Sequence, residues 1–120
     1  MESLAQWLPV AGAVITGLIG LLGFFKPTLF LDQVDIRLDS PQAFSEARAV
    51  FGGLNLGGAT AALTLGSPAV FTALGMAWGA LTLARFWSIA VDGIGFKASI
   101  PALIVDGTIC FLFLSPLIVD

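Results

Sequence analysis

The chain has 120 residues, 58% hydrophobic and only 11% charged, with a mean hydropathy of +1.00 and a formal net charge of -3. Soluble domains carry about 25% charged residues, so this balance excludes an ordinary soluble domain and marks one small membrane domain. Five scattered basic residues exclude a nucleic-acid patch, and the lack of any histidine excludes His-ligated haem, zinc sites and Ser-His or Cys-His catalysis.

A hydrocarbon core about 30 Å thick needs about 20 apolar residues in helix. Residues 4–25 form the first such run, stopped by Lys26-Pro27. Its flank carries Glu2 and no basic residue, so we read it as a retained span and not a signal peptide. Residues 26–40 are the one long surface connection. Within it, Pro27 to Leu31 predicts an interfacial helical turn or two. The alternation from Val34 to Asp39 predicts an extended, half-buried segment.

The second span, residues 41–65, starts with Ser40 as N-cap and Pro41 at the first helical position. Gly66-Ser67-Pro68 then supplies a C-terminal glycine, a new cap and a new first-turn proline, which predicts a tight hairpin into the third span, residues 68–92, closed by Gly93. The fourth span covers 99–118, with Ser99 as a possible cap and Pro101 in the first turn. Pro9 and Pro116 fall near helix ends, where a missing donor matters little. The predicted fold is all-α: an integral membrane, antiparallel four-helix bundle, a single domain over residues 1–120.

Lys26, Arg37 and Lys97 flank the spans on one side and no basic residue flanks them on the other. The positive-inside rule then places both termini outside the cytoplasm of a bacterial inner membrane.

Because the spans alternate in direction, Arg48, Arg85 and Asp106 are expected at nearly one depth, in the cytoplasmic half. Glu46 and Asp92 lie just beyond them. Glu46 and Arg48, two apart, do not face each other on a helix, so each is expected to reach another span: Arg48 to Asp106 or Asp92, Arg85 to Glu46 or Asp106. Arg85, Ser88 and Asp92 share one face, as do Arg48, Gly52 and Asn55. A charge at mid-bilayer costs at least about 2.5–3.5 kcal/mol, so such residues face the bundle interior or water and pair. Two readings compete: a ligand pocket or ion path, and a salt-bridged lock that fixes helix register.

The glycines read as close helix packing, in Gly53-x-x-x-Gly57, Gly75-x-x-x-Gly79 and the stripe Gly12, Thr16, Gly20. Trp7 and Trp87 sit near span ends as belt residues. Trp78 near mid-span packs in the core or floors a pocket. Asn55 is a candidate donor across a helix interface. Cys110, the only cysteine, is a small buried hydrophobe, and no disulfide within the chain is possible.

The segments Glu46-Ala47-Arg48 to Gly53 and Leu83-Ala84-Arg85 to Gly93 resemble the domain-of-unknown-function family 4345, related to the DoxX/DoxD-like group of small bacterial four-helix membrane proteins. The resemblance runs over nearly the whole chain. It implies a four-helix membrane fold with Glu46, Arg48, Gly53, Arg85 and Asp92-Gly93 as signature positions, and it brings no activity. Some DoxX relatives are associated with thiol or quinone redox partners; the single Cys110 argues against a thiol role here.

Three functions follow. The first is a non-catalytic accessory or scaffolding subunit of a larger membrane complex, with a membrane-protein partner or a second copy. The second is a binder or carrier of a lipophilic, quinone-like or lipid molecule at the charged layer, with proton transport as a variant. The third, a membrane enzyme using Asp92, Asp106 or Glu46 as acid or base, has no nucleophile or metal site beside it. No cofactor is expected.

Overall fold

The structure, a computed structural model, describes residues 2–118, with side chains from Ala5 onward. The ends of the expected domain (Met1, Val119, Asp120) and the Glu2 side chain lie outside the described residues. The described chain is helical, with no strand. Helix α1 covers Glu2–Phe25, α2 Pro27–Asp32, α3 Pro41–Ala47, α4 Leu54–Leu65, α5 Pro68–Val91 and α6 Phe96–Ile118, and a π-helical section, Arg48–Gly53, joins α3 to α4.

Three helices are long and apolar enough to cross a membrane: α1 over Ala5–Phe25, α5 and α6. Their outward surfaces are apolar to a degree water does not tolerate. Leu18 is 59% exposed, Leu83 70% and Ile104 61%, and many more large apolar side chains stand out beside them. Lipid is the solvent that removes this penalty. Trp7 and Trp87, 63% and 70% exposed, are outward-facing near the ends of α1 and α5. Trp78 is buried.

The chain packs as two compact units. The first joins Met1–Gly12 to Gly66–Asp120. Its centre is the antiparallel pair α5–α6. Phe113 is fully buried with its ring stacked 6.4 Å from that of Phe71, and Ile109 is fully buried on the same helix. The pair is close because α5 offers glycines: a Cβ on Gly75 would stand 2.5 Å from Leu114 Cδ2, and one on Gly79 3.2 Å from Cys110 Sγ. Gly12 of α1 meets Leu112 and Phe113 in the same way. Ser67 caps α5 by accepting from the Val70 amide at 3.3 Å, after Gly66 has turned the chain with a φ of 55°. Asp92 ends α5 as its C-cap, and Gly93, at φ 73°, carries the chain away.

Helix α6 departs from expectation at its start. It begins at Phe96, so Ser99 and Pro101 lie inside it and Ser99 is no cap. The amide that Pro101 lacks would have served the Lys97 carbonyl, which sits at the exposed first turn where water or headgroups satisfy it. Pro116, near the other end, frees the Leu112 carbonyl, and buried Ser115 donates its hydroxyl to that carbonyl at 2.8 Å.

The second unit, Ala13–Leu65, holds the rest of α1 with α2, α3, the π section and α4. Here the close approach is made by Gly17, Gly20 and Gly23 of α1, and from the other side by Gly52. A Cβ on Gly20 would lie 2.9 Å from the Leu56 amide nitrogen, and one on Gly52 2.7 Å from Phe24 Cα. Gly53 and Gly57, in contrast, meet no other segment within 4 Å. Residues 41–65 are helical throughout, but no single section of them reaches spanning length. The widened turn contains the pair Gly52-Gly53, and glycine resists departure from the regular helix least.

Between these helices, α2 ends in a Schellman turn: Ile36 N–H reaches the Leu31 carbonyl at 3.0 Å, Asp35 N–H reaches Asp32 at 3.2 Å, and Asp35 takes a φ of 61°. This turn breaks the alternation that predicted an extended, half-buried stretch. Val34 and Ile36 are instead exposed, 37% and 42%. Ser40 caps α3 through the Ala43 amide at 3.1 Å, with Pro41 following.

Gly52→Ala is expected to lower stability by roughly 1–3 kcal/mol, because the added methyl meets backbone. Gly57→Ala, entering open space, is expected to raise it by up to about 1 kcal/mol. Reversible unfolding in mixed micelles, followed by circular dichroism, measures both.

Candidate functional site

Two polar arrangements stand out, one in each unit. On α5–α6, contacts step along the pair in antiparallel register: Gly75 with Leu114, Gly79 with Cys110, then Arg85 with Asp106. Arg85 Nε donates to Asp106 Oδ2, and this is the one ion pair among the described residues. Its members are unequal: the Asp106 side chain is 6% exposed and that of Arg85 36%. The carboxylate is therefore fixed in the helix interface, and the guanidinium reaches it from the rim. This is one of the two partners the sequence leaves open for Arg85.

Asp92 turns back on its own helix. Its backbone N–H donates to the Ser88 carbonyl at 2.8 Å and its carboxylate accepts from Ser88 Oγ. A carboxylate at a helix C-terminus opposes the macrodipole, and this hydroxyl partner offsets that.

In the second unit Arg48 opens the π section, and its Nη1 donates to the Phe24 carbonyl. The end of α1 explains this choice. The last carbonyls of a helix lack intrahelical donors; Lys26 N–H serves Leu22 at 2.8 Å, and Arg48 serves Phe24. A cation at a helix C-terminus is also favoured by the macrodipole. Arg48 thus acts on main chain, where the sequence predicts a carboxylate on another span. Asn55, expected to donate across an interface, donates Nδ2 to the Phe51 carbonyl of the π section at 2.8 Å. Glu46 is exposed, with no partner among the described residues.

Glu46, Arg48 and Asn55 belong to one compact unit, and Arg85, Ser88, Asp92 and Asp106 to the other. Among the described residues no buried side-chain nitrogen or oxygen is left without a partner, and no three metal-ligating side chains come together. Two clefts are open. One is an apolar groove along α5–α6, lined by Met76, Gly79, Ala80, Leu83, Gly107 and Cys110. The other, at the end of α1, carries Lys26, Arg48 and Asp32.

Sequence reasoning missed the Phe24 carbonyl and Ser115 as structural partners. A serine immediately before a helical proline is the signal that marks the second; no side-chain pattern marks the first.

A family profile described as Domain of unknown function (DUF4345) matches residues 4–117. The chain belongs to this family. No curated protein matches it, and no solved structure does.

Removing one member of a buried ion pair costs about 3–5 kcal/mol, because the other charge is stranded. With Arg85 partly exposed, Arg85→Leu is expected to destabilise by roughly 1–3 kcal/mol, and the double variant Arg85→Leu/Asp106→Leu to recover most of that loss. Unfolding of the four-member mutant cycle in micelles reads the coupling directly.

Proposed function

We propose that this protein is a non-catalytic accessory or scaffolding subunit of a bacterial inner-membrane complex. Residues 41–65 cross the membrane as a fourth span despite their π section, giving an antiparallel four-helix bundle. Both termini face away from the cytoplasm, since Lys26 and Arg37 in the long connection and Lys97 in the first turn of α6 all lie on the opposite side.

The observation that carries this reading is the use of the charges. Arg85 ties α5 to Asp106 of α6, and Arg48 ties the π section to the end of α1. In each case the ionised group holds helix to helix, which is the register-lock role. What the first unit then presents to its surroundings is the α5–α6 groove. Within a bilayer, helices associate where small residues let backbones approach, and this groove offers about two turns of such surface between Met76 and Leu83. A membrane helix of a partner protein fits it.

Cys110, the only cysteine, lines the groove and gives a reporter at the right place. A photo-crosslinker attached to Cys110 in native membranes is expected to give one adduct of defined mass with another membrane protein. Gly107→Leu should abolish that adduct while leaving the fold intact, because a Cβ at Gly107 meets nothing within 4 Å. Lipid adducts alone would refute the subunit reading, and a self-adduct would replace the partner with a second copy. Topology is checked separately: an alkaline phosphatase fused after residue 120 is expected to be active, and one inserted after Gly95 inactive.

A further inference from the structure

The second open cleft has a different chemistry from the groove. It lies between the end of α1, α2 and α3, wholly within the Ala13–Leu65 unit. Lys26 and Arg48 line it, with Asp32 on α2. Among the described residues neither cation has a carboxylate within ion-pair distance, Asp32 included. The cleft thus holds two cations and one separate anion, a net charge of +1.

Depth is set by two observations. Lys26 directly follows Phe25, the last residue of the apolar stretch of α1, and so stands where that helix leaves the hydrocarbon. Arg48 begins well inside its own helix, but its guanidinium is held at the Phe24 carbonyl, two residues before Lys26. Both cations are therefore at one level, at the membrane interface. The hydrogen bond to Phe24 uses one nitrogen of Arg48 and leaves other N–H donors for a ligand. Clamping of Gly52 against Phe24 fixes the π section that carries Arg48, so the donor is pre-positioned. Phe25, Leu29 and Phe44 line the same cleft with apolar side chains.

We propose that this cleft seats the phosphate of a net-anionic phospholipid, bridged by Lys26 and Arg48, with its acyl chains along Phe25, Leu29 and Phe44. Basic pockets at helix ends on the cytoplasmic side recognise such headgroups, and Arg suits phosphate oxygens in particular. The proposal rests on the membrane-spanning reading of α1 and not on any partner at the α5–α6 groove.

The test uses the full chain in neutral detergent, titrated with dioleoylphosphatidylglycerol, dioleoylphosphatidylcholine or inorganic phosphate, with native mass spectrometry counting adducts. The phosphatidylglycerol is expected to bind one-to-one and at least about fivefold tighter than the phosphatidylcholine. Lys26→Gln should weaken it about fivefold, since each interfacial cation contributes about that factor, and Asp32→Asn should tighten it. Lys26 makes no side-chain bond within the described residues, so its variant keeps the fold; Arg48→Gln is the second variant, read beside its own unfolding curve. Equal binding of the two lipids, or no effect of Lys26→Gln, would overturn the proposal. Inorganic phosphate displacing the lipid at millimolar concentration would assign the site to a free anion and overturn it too.

Discussion

In hydrocarbon a polar group has only the protein to bond with, and this constraint organises the chain. Asp106 is the severest case, a buried carboxylate in the middle of an apolar helix, and Arg85 answers it. The lesser cases follow the same rule. The hydroxyls of Thr60, Thr64 and Thr82 each donate to the carbonyl four residues earlier, and Ser115 replaces the amide that Pro116 lacks. These polar side chains thus face inward or turn back on their own backbone. The remaining surface is left apolar.

Packing is governed by the same absence of water. Lipid tails are as apolar as leucine, so helices gain little by hiding apolar area from them and associate through close van der Waals fit. Glycine permits that fit where the facing backbone is near. Gly20 and Gly52 each bring main chain to main chain in the second unit; in the first, Gly75 receives the Leu114 side chain. The same residue type at Gly53 and Gly57 does no such work, since no other segment comes within 4 Å of it.

This difference shows what was legible in the sequence. Helix starts at Pro41 and Pro68 and the turns at Gly66 and Gly93 were readable because caps and positive φ are local chemistry. One of two open partners for Arg85 was readable from depth, because alternating spans align residues by simple rise per residue. Which glycine of a pair faces a neighbour was not, because the π section shifts the helical phase through residues 48–53 and periodicity assumes a constant turn. Nor was the Arg48 acceptor readable: a main-chain carbonyl is present at every position and leaves no mark in composition. The two segments that carry the family resemblance, around Arg48 and around Arg85, fall in different packing units.

The bond from Arg48 to the Phe24 carbonyl links residues 24 positions apart along the chain. At a synthesis rate of about 5–20 residues per second, the end of α1 waits about 1–5 s for its cap to be made. All of the Ala13–Leu65 unit is complete before α5 exists, so it can assemble while the ribosome is still working. The other unit has no such liberty, because Met1–Gly12 is synthesised before the whole Ala13–Leu65 unit and its packing partners after it. The order of birth along the chain therefore makes one half of this small protein an early, self-contained nucleus and the other its late completion.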